Sequence, residues 1–201
     1  MANTIQDFKT ALRGGGARAN LFQVDLSLPS NIVKDQAYED GKFSILCKSA
    51  ALPASNIASI EVPFRGRTFK VAGDRTFDNW TVTVINDTDF GIRNTMENWM
   101  QAIGQYGDGS GFTDPENYMA IANVKQFSRA LSNVGFNTPF GSGNENHNVV
   151  ANYKFYDIFP TNISAIELSY DSLDTIEEFS VDFQVQYWTP LGATNETSSI
   201  G

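Results

Sequence analysis

Residues 64–87 read FRGRTFKVAGDRTFDNWTVTVIND, and this stretch decides the fold prediction. The run Arg65-Gly66-Arg67 is short enough to be the turn of a β-hairpin. Strands are predicted on its two sides, at 57–64 and 68–71, and a third strand is predicted at 79–85. The stretch therefore predicts a hairpin that leads directly into a further strand.

Apolar and polar side chains alternate near both ends of the chain. Residues 179–187, FSVDFQVQY, alternate apolar and polar side chains for nine positions, and residues 21–28, LFQVDLSL, place their apolar residues on one face. Such alternation is typical of half-buried strands. Further strands are predicted at 43–48, 149–159 and 163–170.

One segment has helical spacing instead. Its apolar residues recur every three or four positions, which predicts a helix that packs one side against a sheet. Asn86–Asp89 offers residues that cap helix starts, and Gly104 can end the helix. The apolar residues of this stripe are Ile92, Met96, Trp99, Met100 and Ile103.

Length and pattern predict one domain over residues 1–201. The core is expected at 20–188, between an N-terminal arm, 1–19, and a C-terminal arm, 189–201, neither of which has a core pattern. Polar or glycine-rich composition predicts three long loops, which in compact domains are usually functional or ordered by partners. These loops are 29–41, 104–117 and 132–148.

Composition excludes several classes of protein. The formal net charge of −9 argues against a broad basic face that wraps nucleic acid. No segment is apolar enough to cross a bilayer, and no secretory signal is found, so we expect a cytoplasmic protein without membrane insertion. The single cysteine, Cys47, lies in an apolar run and is expected to be a buried structural thiol.

The residues offer little catalytic chemistry. His147 is the only histidine, so the sequence gives little basis for a histidine-based metal site or for a Ser-His-Asp triad. It also contains no cofactor motif. A polysaccharide-degrading tail enzyme with paired carboxylates stays open as an alternative. However, Glu177 and Glu178 are adjacent at the start of a predicted strand, so their side chains point to opposite faces. We therefore predict that the protein is not an enzyme.

The stretch at 64–87 closely resembles the signature region of tail tube proteins of contractile-tailed bacteriophages of the T-even type. Further blocks agree with that family and keep their order, so the resemblance covers most of residues 18–188. Loops 29–41 and 132–148 and the tail after Trp188 depart from the family pattern. The agreeing blocks are NLFQV at 20–24, CKSAALP at 47–53, PTN at 160–162, ELSYDS at 167–172 and YW at 187–188.

The resemblance implies a mainly β protein, an antiparallel β-sandwich with one flanking α-helix. It implies that six copies form a ring whose strands make a continuous β-barrel around a channel, and that rings stack into the inner tail tube through which the genome passes. The implied partners are other copies of the chain, the baseplate with its tube initiator, the sheath, the tail terminator, the tape measure protein inside the channel, and double-stranded DNA in transit without specific binding. The implied location is the virion tail, after assembly in the bacterial host cytoplasm. Tube initiators of the baseplate and type VI secretion tube proteins share this architecture and remain alternatives.

Two groups of charged residues are candidate functional residues. Carboxylates on polar strand faces are candidates to line the channel, although ordinary solvated sheet surface would explain them too; they are Glu167, Glu178 and Asp182. Mixed charges around the signature turn are candidates for contact between subunits, with a local salt-bridged loop as the alternative. This second group comprises Arg65, Arg67, Asp74, Arg75 and Asp78.

Overall fold

A computed structural model describes residues 4–12, 16–39, 41–131 and 147–191 of the chain. Antiparallel strands dominate it. The strands are β1 Phe22–Ser27, β2 Cys47–Ala50, β3 Ser55–Phe64, β4 Arg67–Phe77, β5 Trp80–Ile85, β6 Ala120–Leu131, β7 His147–Ile163, β8 Glu178–Gln184 and β9 Tyr187–Pro190. The helices are α1 Ile5–Ala11, α2 Gln36–Glu39, α3 Lys42–Leu46 and α4 Gly91–Ile103, with a 3-10 helix at Pro115–Asn117.

The strands form one seven-stranded sheet and a separate two-stranded hairpin. The order in the larger sheet is β1-β6-β7-β8-β5-β2, with β9 also paired to β7, and the hairpin consists of β3 and β4. The chain divides into two compact units, of which Val24–Ala122 together with Phe155–Thr189 is one. Since β1 and β2 stand at the two ends of the strand order, no barrel closes within the described part of one chain.

An aromatic cluster forms the core of the unit that holds β5 and β8. Trp80 stacks on Phe155 with ring centroids 4.9 Å apart, and Phe183 lies 5.3 Å from Trp80. Helix α4 adds Trp99, whose ring is 5.8 Å from that of Phe183 and whose indole N–H donates to the Tyr118 carbonyl at 2.7 Å. The cluster therefore joins the helix to the sheet.

The alternating patterns correspond to real strands. In β8 the side chains of Phe179, Val181 and Phe183 are buried, while the residues between them are only half-buried or exposed. Trp80, Val82 and Val84 alternate in the same way along β5. The predicted strands at 21–28, 57–64, 68–71, 79–85 and 149–159 and the predicted helix are confirmed, and with them a mainly antiparallel β fold.

Two predicted strands are wrong. Residues 43–48 form helix α3 and only the start of β2; Phe43 and Cys47 are both buried and four residues apart, a spacing that fits a helix as well as a strand. Residues 163–170 leave the sheet after Ile163, because β7 ends there and the segment that follows has no strand to pair with.

The prediction also missed several elements. Strand β6, Ala120–Leu131, was not predicted, and the described chain has four helices instead of one. Helix α1 lies in the predicted N-terminal arm, where the Thr4 and Asp7 side chains form a reciprocal capping box, and α2 lies in the predicted loop 29–41.

Helix α4 begins after Phe90 without a side-chain cap, so the predicted capping role of Asn86–Asp89 is wrong. The predicted end of the helix at Gly104 is confirmed. Most of the predicted loop 132–148 and of the C-terminal arm lies outside the described residues.

We predict that Phe183→Ala lowers the free energy of unfolding by about 3–5 kcal/mol, because the substitution leaves a cavity in the fully buried aromatic cluster. Urea unfolding of dilute monomer measures this loss. Phe64→Ala is the matched control: Phe64 is 66% exposed, and its truncation should change stability by less than about 0.5 kcal/mol. Equal losses for the two variants would contradict the assignment of the core.

Candidate assembly surface

The signature stretch at 64–87 begins at the tip of the β3–β4 hairpin and continues through β4 and β5. The register of the hairpin pairs Phe64 with Arg67, so the turn consists of two residues, Arg65 and Gly66, with φ of 46° and 82°. A two-residue turn with both residues in the left-handed region has a backbone twist that matches the twist of the two paired strands. Residues 64–87, which resemble the family, therefore form a tight hairpin turn with strand β4 and then strand β5.

One face of the outer half of the hairpin is apolar and exposed. Paired residues share a face, as do residues two apart in a strand. The pairs Ile60–Val71 and Val62–Phe69 therefore lie on the same face as Phe64 and Arg67. Phe64 and Phe69 are each 66% exposed. We call this set the hairpin apolar face; it comprises Ile60, Val62, Phe64, Phe69 and Val71.

The opposite face of the hairpin is polar. Glu61 and Lys70 lie opposite each other there and form an ion pair of 3.0 Å, with both side chains exposed. The register shifts between Ile57 and Ser59, which gives β4 an extra residue near Gly73. A Cβ at Gly73 would lie 3.1 Å from the Ala58 carbonyl oxygen, so the bulge favours glycine at this position.

The five charged residues predicted for subunit contact are spread along this hairpin. Arg65 and Arg67 lie at the tip, and the Arg65 guanidinium lies 5.3 Å from the centre of the Phe64 ring. Asp74 and Arg75 lie beside the bulge, and Asp78 at the base accepts a hydrogen bond from the Asn56 side chain at 2.9 Å. Among the described residues none of the five forms an ion pair. The alternative of a local salt-bridged loop therefore has no support.

Aromatic packing fixes the base of the hairpin. The Phe77 ring lies 6.0 Å from that of Trp188 in an edge-to-face arrangement, and the Asp78 amide donates to the Ala54 carbonyl at 3.1 Å. Trp80 follows two residues later and is completely buried. The hairpin is therefore anchored at its base while its outer half remains exposed.

The three candidate channel residues do not form one cluster. Glu178 and Asp182 lie four residues apart on the same face of β8, whereas Glu167 lies in the loop between β7 and β8. Glu178 forms an ion pair with Lys48, which neutralises its charge locally. The Asp182 carboxylate accepts hydrogen bonds from Thr81 at 2.6 Å and Asn162 at 3.1 Å.

In the part of the chain that the structure describes, neither Cys47 nor the adjacent pair Glu177 and Glu178 is arranged as a reactive group. Burial raises the pKa of the Cys47 thiol to about 12, so the thiol stays protonated near neutral pH, and the prediction of a buried thiol is confirmed. Glu177 accepts a hydrogen bond from the Asn86 side chain while Glu178 binds Lys48, so this pair of carboxylates does not converge. Within the described ranges no group of three or more candidate ligands could hold a metal ion, and no helix could span a membrane.

The sequence is similar to known proteins over nearly its whole length. A family model described as phage tail tube protein matches residues 17–190. The chain belongs to this phage tail tube protein family. The curated tail tube protein gp19 of Enterobacteria phage T4 is 32% identical over 185 residues, which cover 92% of this chain and 98% of that protein. The family resemblance is thereby confirmed, as is the prediction of a structural tail tube protein.

Two solved structures share the fold. One is a chain of the anti-feeding prophage baseplate, with a TM-score of 0.58 and 12% identity over 89% of this chain and 97% of the other. Another comes from the sheath–tube complex of an extracellular contractile injection system, with a TM-score of 0.55 and 12% identity over 95% and 99% of the two chains. At these identities the likeness concerns the fold alone.

Sequence reasoning identified the charges of the hairpin but missed its apolar face. The signal is present in the sequence, because apolar residues recur at every second position of the two predicted strands, at 60, 62 and 64 and at 69 and 71. A period of two, however, does not distinguish burial within a chain from burial between chains.

We predict that Gly66→Ala weakens the hairpin locally, because alanine in the left-handed region costs about 1–2 kcal/mol. Tryptic cleavage after Arg65 and Arg67 should accelerate by about 5- to 30-fold, since cleavage follows the population of the open hairpin. Gly104→Ala is the control: Gly104 has φ of −155° and open space around it. Unchanged cleavage in the Gly66 variant would contradict the geometry of the turn.

Proposed function

We propose that six copies of this chain form a ring, that rings stack into the inner tail tube, and that strands of the six copies line a continuous channel for the genome. The observation that carries the proposal is the hairpin apolar face. Five large apolar side chains lie exposed on one side of a two-stranded hairpin. An isolated hairpin is marginally stable in water, and an exposed apolar patch of this kind marks an interaction site.

The ends of the larger sheet support the same proposal. An unpaired edge strand exposes a row of backbone donors and acceptors and is a template for pairing with another chain. In the tube these edges and the hairpin pair between copies, which closes the barrel that one chain leaves open. If each copy supplies about four strands spaced about 4.8 Å apart, a ring of six has a backbone diameter of roughly 40 Å. A duplex of roughly 20 Å passes through such a channel.

The proposed partners follow from this place in the tail. The similar solved chains belong to a baseplate and to a sheath–tube complex. We assign this chain a contact with the baseplate at one end, the sheath outside, the terminator at the other end, and the tape measure protein and DNA inside. It resides in the virion tail after assembly in the host cytoplasm, and it has no catalytic role. Its 32% identity to a tail tube protein favours the tube itself over a baseplate tube initiator.

For the channel wall we propose the polar face of β8. Glu178, Ser180, Asp182 and Gln184 lie on this face. No described lysine or arginine pairs with Asp182, and Lys48 is already bound to Glu178. DNA phosphates therefore find no free cation at these positions, so they slide without local attraction. Glu167 belongs to the loop, and the channel proposal does not depend on it.

We expect Arg75→Glu to prevent tube formation while the monomer stays folded. Arg75 is exposed and forms no ion pair with a described residue, so the free energy of unfolding should change by less than about 0.5 kcal/mol. Repeated around a ring and along a tube, the lost contact raises the critical concentration for assembly by about tenfold or more. Pelleting assays and negative-stain microscopy measure assembly, with Arg18→Glu as the matched control. Normal tubes from the Arg75 variant would contradict the contact.

Positive charge in the channel should slow genome ejection. Virions carrying Glu178→Lys with Asp182→Lys should assemble and eject DNA more slowly, and the slowing should diminish as salt rises, because added lysines bind phosphates. Ejection is followed by dye uptake of released DNA. The neutral pair Glu178→Gln with Asp182→Asn is the control and should have a smaller effect. Normal ejection from well-formed lysine particles would mean that this face does not line the channel.

A further inference from the structure

The loop between β7 and β8, residues 164–177, exposes several large apolar side chains. Leu168 and Leu173 are 80% and 79% exposed, and Tyr170 and Ile176 are largely exposed as well. The loop curls around an open cavity of about 610 Å³, lined by apolar and acidic side chains, among them Ile166, Leu168, Tyr170, Ile176 and Glu177. A concave apolar surface of this kind marks a site of interaction with another molecule.

The loop is also strongly acidic. It contains Glu167, Asp171, Asp174 and Glu177 and no lysine or arginine. Glu177 is held by the Asn86 side chain. The carboxylates of Glu167, Asp171 and Asp174 form no ion pair or side-chain hydrogen bond within the described part of the chain. We call residues 164–177 the acidic loop. Its chemistry fits a partner that is apolar and positively charged.

The tip of the hairpin has this complementary chemistry. Arg65 and Arg67 are exposed and form no ion pair with a described residue. They flank Phe64, and the rest of the hairpin apolar face adjoins them. The tip thus presents unpaired guanidinium groups beside exposed aromatic rings, and the acidic loop presents unpaired carboxylates beside exposed apolar side chains.

The two surfaces lie at opposite ends of one strand. The hairpin joins β5 at Trp80, where the Asp78 amide bonds to Ala54. The acidic loop lies at the other end, where Ile85 pairs with Glu178 and the Asn86 amide bonds to the Glu177 carbonyl. A unit with complementary surfaces at its two ends associates head to tail, and such contacts repeat along an open assembly.

We propose that the hairpin tip of one copy docks into the acidic loop of a second copy, head to tail, with Arg65 and Arg67 bound to Asp171 and Asp174 and with Phe64 among Leu168, Tyr170 and Ile176. The partner is a second copy because its hairpin tip supplies the positive charge that the loop lacks, together with an apolar surface that can cover the exposed apolar side chains of the loop. The two surfaces are not docked on each other within one chain, because both are exposed. This inference rests on the proposed tube function and names the contact that connects its subunits.

The first test is a charge exchange read out by the critical concentration for assembly. Arg65→Glu with Arg67→Glu should raise this concentration about tenfold or more, and so should Asp171→Arg with Asp174→Arg. The chain that carries all four substitutions should return to within about threefold of the wild type, because the exchanged charges attract again. Asp114→Arg with Glu116→Arg, an exposed acidic pair at the start of the 3-10 helix, is the matched control and should leave assembly unchanged.

The outcomes separate this inference from the proposed function. If the wild-type chain stays monomeric at every concentration, the tube function fails. If the hairpin variant loses assembly while the loop variant assembles normally, the tube function stands and the acidic loop is not the docking site. If both variants lose assembly and the combined chain does not recover, the two surfaces do not meet each other. Circular dichroism of each monomer confirms that it is folded before assembly is measured.

A second test needs no charge reversal. One batch carries Arg67→Cys and another carries Asp171→Cys; the two are mixed, assembled and oxidised, so that a disulfide between the two positions can only join different copies. Cys47 is buried and does not compete. Dimers on a non-reducing gel from this mixture, and none from a mixture of Arg67→Cys with Glu116→Cys, support the docking. Assembled tubes without the cross-link overturn it.

Discussion

A hairpin that its own chain does not cover is the constraint on which the rest of the structure depends. The strands of ten and eleven residues are long enough to extend about 33 Å, yet both faces are exposed along almost their whole length. Backbone pairing alone leaves such a hairpin marginal. Ile60, Val62, Phe64, Phe69 and Val71 gain their burial only when another molecule supplies it. The buried residues that stabilise the fold are therefore different from the exposed hairpin residues that we expect to make contacts in the tube.

Strand β5 connects the two roles. Trp80, Val82 and Val84 are fully buried, and Trp80 connects the sheet to helix α4 through the rings of Phe183 and Trp99. The hairpin begins at one end of this strand and the acidic loop lies at its other end. In the proposed head-to-tail contact, the core between the two surfaces fixes their spacing, so that a contact made at one end would be repeated at the next copy. The charges are distributed accordingly: three of the seven arginines lie in the hairpin, and the acidic loop has none.

Sequence patterns predicted those elements whose burial occurs within the chain. The alternation at 179–187 and 79–85 and the helical stripe of Ile92, Met96 and Trp99 report a core that one copy completes. The prediction was wrong at 163–170, where the alternation of Ile166, Leu168 and Tyr170 predicts a strand, but Ile166 is only half-buried and Leu168 and Tyr170 are exposed. We interpret that pattern as a surface buried by a neighbour. The spacing at 43–48 was ambiguous between helix and strand, and local residue types could not decide it. The position of each charged residue on the hairpin could be assigned only once the register of β3 and β4 was known.

Amide hydrogen exchange over residues 55–77, compared between dilute monomer and assembled tube, tests the central claim most directly. The account predicts that these amides exchange rapidly in the monomer and become strongly protected in the tube, while those of β5 are protected equally in both states. The amides of residues 164–177 should gain protection together with the hairpin. If residues 55–77 were as protected in the monomer as in the tube, the hairpin would be stabilised by its own chain and the account would be contradicted.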